Sequence, residues 1–285
     1  MKKKQPSETG EQTLSIELYG HTICIVSNCE QTIVDITTLY DHFITEAPRD
    51  AFDDVISVIK NQSFTICYNG DLIHSDPSPA DSLLFLEWFI NSLFLKSLNH
   101  FFQIHAGVVS HNDQGILMPA INEVGKSTFT FYLVQKGFHY YSDEIGFIDI
   151  KTKRVFPFPK SIALVKDTYH KVLKPFDGNQ FKTISHSEKV LYQPHVRKKD
   201  LVKGAPLQYI FFLKRERVLS NPLTECSKGN GLIELIKNSF NPLAYGEESF
   251  NHLVELLAAT KIFFLDVSKL EQAYHSVCEV MRPCK

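Results

Sequence analysis

Apolar residues fall in short runs from residue 13 onward, and their spacing separates strands from helices. Residues 1–12 are polar and predict a flexible tail. Runs at 13–19 and 21–27, parted by Gly20, predict two strands, and 32–44 predicts a short helix. VISVIKN and FTICYNG, within 55–70, predict two more strands, with Asn69-Gly70 as a hairpin turn into DLIH. Residues 13–78 therefore read as a small β-rich unit. Ser78-Pro79 opens a helix to about Leu98, with Ser78 as N-cap and Pro79 at the first helical position. Leu84, Trp88, Asn91 and Leu95 lie near one face of that helix, and Trp88 is expected in the core.

From 79 to 285 the pattern changes to strands interleaved with helices. Residues 105–119 predict a hairpin whose turn is HNDQG, ending in the buried run Gly115 to Pro119. FTFYLVQK predicts a helix stopped by Gly137, and 138–142 a strand. IGFIDI, VFPFP, 206–216 and IFFLDV read as further extended segments, and 174–189 as a long exposed loop. A helix is expected to begin after Gly231 and reach residue 240, and a second to cover 247–260. A last one covers 268–280, with Ser268 and Glu271 as a capping box.

Composition narrows the class. A chain of 285 residues, 44% hydrophobic, can bury a sizeable core. Net charge is −2, which points away from nucleic acid and from a membrane surface. The most apolar window, 83–98, is short for a bilayer and carries Glu87, Asn91 and Lys96. MKKK runs into polar residues, unlike a signal peptide. Six cysteines without a C-x-x-C pair argue against zinc and for a reducing, cytoplasmic setting.

The chemistry concentrates in 115–144: a strand, then AINEVGKST, a helix, a second strand, and Ser142-Asp143-Glu144. A loop running into a helix offers unpaired N–H groups to phosphate. Asn122, Glu123, Val124, Gly125, Lys126, Ser127 and Thr128 form the candidate nucleotide loop. Gly125 permits close backbone approach, Lys126 supplies an ammonium, and Ser127 a hydroxyl for magnesium. Asp143 and Glu144 are candidates for holding the metal and accepting a proton. Ala120 stands where the full motif has its first Gly, and Glu123 adds a carboxylate to a loop meant for anions. His105 has two readings, a strand-start hydrogen bond or a group of the site. If it lies beside Asp143 or Glu144, its pKa should rise. Lys160, Ser161, Lys166 and Lys171 form a basic cluster that reads first as ordinary solvated lysine, with phosphate or acceptor contact as the alternative.

The runs HAGVV, MPAINEVGKST and LVQKGFHYYSDE, with LEWFIN and FPKSIAL, resemble the HPr kinase/phosphorylase-like group, closest to its HprK-related kinase A branch. The resemblance covers roughly 80–285. It implies an α/β (α+β) P-loop fold like that of HPr kinase and phosphoenolpyruvate carboxykinase, with a mixed sheet and flanking helices. By it, Gly125, Lys126, Ser127 and Thr128 match the nucleotide loop. Asp143 and Glu144 match a paired acidic motif for metal (with Ser127) and acceptor activation, His105 a histidine beside the active site, and Lys160 a recurrent basic position. Glu144 replaces the second Asp of the true HPr kinases, Glu123 sits where relatives often have Gly, and their long signature segment is not recognisable. HPr itself is therefore not the expected substrate.

The expected activity is an ATP- and Mg2+-dependent kinase acting on a hydroxyl, either on a peptide serine in a peptide-modification pathway or on a small metabolite. The alternative is a nucleotide-binding scaffold without catalysis. A phosphoenolpyruvate carboxykinase-type lyase needs a larger metal and oxaloacetate site that the sequence does not display. The acceptor, the choice of ATP over GTP and a homo-oligomeric assembly stay open.

Overall fold

A computed structural model of the chain describes residues 10–46, 52–121, 123–165, 181–183, 189–215, 222–242 and 246–281. The chain divides into two compact units, Met1–Leu98 with Ala163–Gln193 and Asn99–Ile162 with Pro194–Lys285. The described residues form a mixed α/β structure of several sheets with flanking helices. None of their helices is long and apolar enough to cross a membrane.

The first unit opens with the antiparallel pair β1 (Gln12–Leu18) and β2 (His21–Ser27). Helix α1 (Glu30–Leu39) then lies between β2 and its parallel neighbour β3 (Asp54–Lys60), the crossover that parallel pairing requires. β4 (Phe64–Tyr68) and β5 (Asp71–Asp76) complete the order β1-β2-β3-β4-β5. Between them Asn69 (φ 50°) and Gly70 (φ 97°) make the left-handed two-residue turn expected of Asn-Gly.

Helix α2 (Pro79–Ser97) is capped by Ser78, whose Oγ accepts from the Asp81 N–H at 3.3 Å. It belongs to this unit, so the division falls at Leu98, beyond the Ser78 break drawn from the sequence. Rings hold the helix to the sheet: Phe85 stacks on His74 at 4.1 Å, and Phe89 meets Tyr68 at 5.2 Å. The expectation that Trp88 joins the core is wrong, because Trp88 is 60% exposed. α2 is apolar on more than one side, and the buried side is Leu86, Ile90, Leu93 and Phe94, a stripe of helical spacing. Asn91 lies within it, accepting from the Tyr40 hydroxyl at 2.7 Å.

In the second unit β6 (Phe102–His111) and β7 (Gln114–Pro119) form the expected hairpin, turned by Asn112 and Asp113 at φ 51° and 57°. Helix α3 (Lys126–Gln135) ends before Gly137 (φ 92°). β8 (His139–Ser142), β9 (Ile145–Asp149) and β10 (Arg154–Phe156) follow. β11 (Ile162–Val165), β12 (Phe181–Thr183) and β13 (Lys189–Tyr192) make a separate three-stranded sheet that, from Ala163 on, belongs to the first unit. Most of the predicted loop 174–189 lies outside the described residues, but 181–183 and Lys189 are strand, paired antiparallel as β12 and β13. Helix α4 (Lys198–Lys203) leads to β14 (Ala205–Lys214), and β15 (Leu223–Glu225) to α5 (Lys228–Lys237). The chain continues through α6 (Gly246–Ala259), β16 (Lys261–Asp266) and α7 (Leu270–Met281).

The large sheet runs β10-β9-β6-β7-β14-β16-β15, with β8 also on β6 and β10 returning to pair with β14. β7, β14 and β16 are mutually parallel, and the other pairs are antiparallel. β6 divides two cores. Phe102, Ile104, Ala106 and Val108 pack with Ile148, Ile210 and Leu256. Val109, on the other face, joins Ile116, Phe129 and Leu133. Two helix starts differ from the sequence reading. α5 begins before Gly231, since the Ser227 hydroxyl caps the Asn230 N–H at 3.2 Å; Gly231 is there because a Cβ would meet Ile262 at 2.7 Å. The predicted capping box of α7 is replaced. Ser268 donates to Asp266 at 2.7 Å, and Glu271 turns to Lys136 at 3.3 Å and to the Tyr132 hydroxyl.

Candidate active site

β7 hands the chain to the loop at 120–125, and Gly125 opens α3 with φ 107°, a value that favours glycine. Its carbonyl accepts from the Phe129 N–H at 2.9 Å. Glu123 has φ 68°, a left-handed conformation costing a non-glycine residue about 1 kcal/mol. That explains on backbone grounds why Gly suits this position. Asn122 lies outside the described residues. Val124 packs against the core beneath the loop, and Ser127 and Thr128 are half-buried in the first turn of α3.

Lys126 is 8% exposed, and its Nζ lies 2.7 Å from His105 Nε2. Gly107 makes this possible. On the face of β6 that α3 covers, a Cβ at 107 would come within 2.2 Å of Thr130 Oγ1 and 3.3 Å of Lys126 Cγ. His105 makes the expected strand-start hydrogen bond, its N–H donating to the Asn238 carbonyl at 2.7 Å, and its ring reaches the site as well. The expected rise in its pKa does not occur. Burial and the Lys126 ammonium hold the ring down to about 4, outweighing Glu144. The imidazole is therefore neutral, and Nε2 accepts from the ammonium. Burial likewise lowers the Lys126 pKa, against the pull of Asp143 and Glu144.

Asp143 and Glu144 form the turn between β8 and β9. The Ser142 hydroxyl fixes it by accepting from the Glu144 N–H at 3.1 Å and the Ile145 N–H at 2.9 Å. Asp143 is 6% exposed, and burial raises its pKa even though Lys160, Lys126 and a hydrogen bond from Ser127 pull it down. The Tyr140 hydroxyl stands 3.1 Å from Asp143 Oδ1 and 2.7 Å from the Lys160 carbonyl. Lys160 departs from its reading as a solvated lysine: its side chain is 5% exposed and donates to Glu144 Oε2 at 2.6 Å. Burial opposes ionisation of Glu144, but Lys160 and Lys126 lower its pKa on balance. Lys166 and Lys171 lie outside the described residues.

The fold thus gathers His105, Lys126, Ser127, Asp143, Glu144 and Lys160, from segments separated by up to 55 residues, within one unit. Gly107 and Tyr140 were not singled out in the sequence. A glycine inside the apolar run HAGVV was a readable sign of close approach, whereas one tyrosine among several carried no signal.

The Ser127 hydroxyl, close enough to Asp143 to lower its pKa, and the Asp143 carboxylate are hard oxygen donors that suit Mg2+. Among the described residues no three or more His, Cys, Asp or Glu side chains gather into a metal cage. Compared with known proteins, the sequence matches no family model and no curated protein.

Proposed function

We propose that the protein is an ATP-dependent phosphotransferase of HPr kinase-like P-loop type that phosphorylates a hydroxyl. The observation that carries this reading is the buried cluster at the start of α3. Lys126 and Lys160 face Asp143 and Glu144, and Ser127 stands near enough to Asp143 to lower its pKa. Phosphoryl transfer asks little of a protein beyond positioning and charge stabilisation. Lys126 orients and neutralises the outer phosphates, and neutral His105 holds its ammonium from behind. Ser127 and Asp143 would hold magnesium, which supplies further charge neutralisation when bound. The acceptor oxygen forms a bond to the γ-phosphorus as the bond to the β–γ bridging oxygen breaks, and the nucleoside diphosphate leaves. The acceptor proton passes to Glu144, whose side chain is 38% exposed while Asp143 is buried and hydrogen-bonded. Cys24, Cys29, Cys67, Cys226 and Cys278, which form no disulfide, fit a reducing, cytoplasmic setting.

A second reading, a nucleotide-binding scaffold, draws on Glu123, an exposed carboxylate held at φ 68° in the loop. Calorimetry of MgADP with wild type and Lys126→Ala tests what both share. We expect the variant to bind at least severalfold more weakly. Equal affinity would sink both readings, and binding without transfer to any acceptor would leave the scaffold.

A further inference from the structure

We propose that Phe240 is the apolar wall of the acceptor site, and that the acceptor is a peptide hydroxyl flanked by a large apolar side chain. The inference rests on the kinase reading and adds a substrate class to it. β7 pairs with β6 only as far as Ala106 opposite Pro119, where the chain leaves for the phosphate loop. Beyond that point the edge of β6 is taken by residues 238–241. The His105 N–H donates to the Asn238 carbonyl at 2.7 Å, and the Phe240 N–H to the Gln103 carbonyl at 2.9 Å. The Asn241 side chain accepts from the Gln103 N–H at 2.9 Å and donates to the Phe101 carbonyl at 2.8 Å. Ser239 forms an antiparallel bridge with Ile104.

This backbone is fixed by the strand that carries His105, yet the Phe240 side chain is left 46% exposed. Its ring stands edge-on to the His105 imidazole, with centroids 5.8 Å apart. His105 therefore touches Lys126 on one hand and Phe240 on the other, and the phenyl lies one imidazole away from the ammonium assigned to the reacting phosphate. A small polar metabolite gains nothing from a phenyl in water. The side chain beside a peptide serine gains an apolar contact of the kind that anchors recognition.

The test uses the full chain, radiolabelled MgATP and a positional-scanning library of serine peptides, with MgADP calorimetry alongside. We expect wild type to favour pools with Phe, Leu or Ile next to the serine. Phe240→Ala should reduce that preference about tenfold and Phe240→Leu should retain most of it, both binding MgADP within about twofold of wild type. A wild type without apolar preference, or a preference that survives Phe240→Ala, overturns the inference. So does weakened MgADP binding by Phe240→Ala, which would assign the ring to the nucleotide. MgADP binding without transfer to any pool overturns the peptide acceptor while sparing the nucleotide site. No MgADP binding by wild type fails the kinase reading itself.

Discussion

Two half-buried histidines, one in each unit, keep opposite company. His21 of the first unit faces carboxylates, with Nε2 2.8 Å from Asp54 and Nδ1 3.6 Å from Asp53. Asp54 also accepts from the Tyr68 hydroxyl at 2.6 Å, a bond that, with burial, pushes the phenol up to about 12. His105 faces an ammonium at 2.7 Å and is pushed down to about 4. The first cluster closes on itself, because ring, carboxylate and phenol satisfy one another. In the second, a neutral ring accepts from a buried ammonium, and Asp143 lies buried beside Glu144, which Lys160 holds at 2.6 Å. Groups so displaced from their ordinary pKa values mark sites that bind or react. The surrounding charge points the same way. The first unit carries seventeen Asp and Glu against eleven Lys and Arg, while the second carries fifteen against nineteen. An anion is therefore favoured by the second unit over the first.

The largest effect expected to sharpen this contrast is at Asp143. Asp143→Asn keeps the shape and removes a charge that burial disfavours. Turnover of MgATP should fall about a hundredfold or more. Turnover near that of wild type would remove Asp143 from the chemistry.

Gly107→Ala comes next. Its methyl would lie 2.2 Å from Thr130 Oγ1, so α3 must shift and carry Lys126 off His105. MgADP affinity should drop about tenfold, the loss of one charge-assisted contact. Unchanged calorimetry would mean that the lysine tolerates displacement.

A smaller effect is expected with pH. A histidine near 6.5 unfolded and about 4 folded is neutral in the native state. Its contribution to stability is complete above pH 6.5 and is lost as pH falls from 6.5 towards 4. Between pH 7 and 5, urea unfolding of wild type should lose roughly 1 kcal/mol more than His105→Gln, the full linkage value being reduced by solvent screening at this partly exposed ring. Equal losses would place His105 in a water-like environment.

Local chemistry made much of this architecture readable. Asn69-Gly70 imposed its turn, Ser78 its cap, and the apolar run before AINEVGKST its strand. Trp88 was misplaced because α2 has more apolar surface than the sheet can cover, and choosing the buried side is a tertiary matter. The direction of the His105 pKa shift was misjudged for a related reason. Sequence spacing brings it to the loop, but only Gly107, by letting α3 lie against β6, decides that lysine rather than carboxylate comes nearest. Phe240 could not be found at all, since it reaches His105 from 135 positions away through pairing that no local pattern encodes.

The central claim, that one charged cluster holds the fold and the other serves phosphate and metal, is tested most directly by two variants read side by side for melting temperature and MgADP affinity. Asp54→Ala leaves His21 and Tyr68 without their carboxylate. It should cost about 2 kcal/mol and lower the melting temperature by a few degrees, with MgADP affinity unchanged. Asp143→Asn should weaken MgADP about tenfold and leave the melting temperature at or above that of wild type. If both variants lose stability alike and nucleotide affinity alike, the two clusters do the same work and the account is wrong.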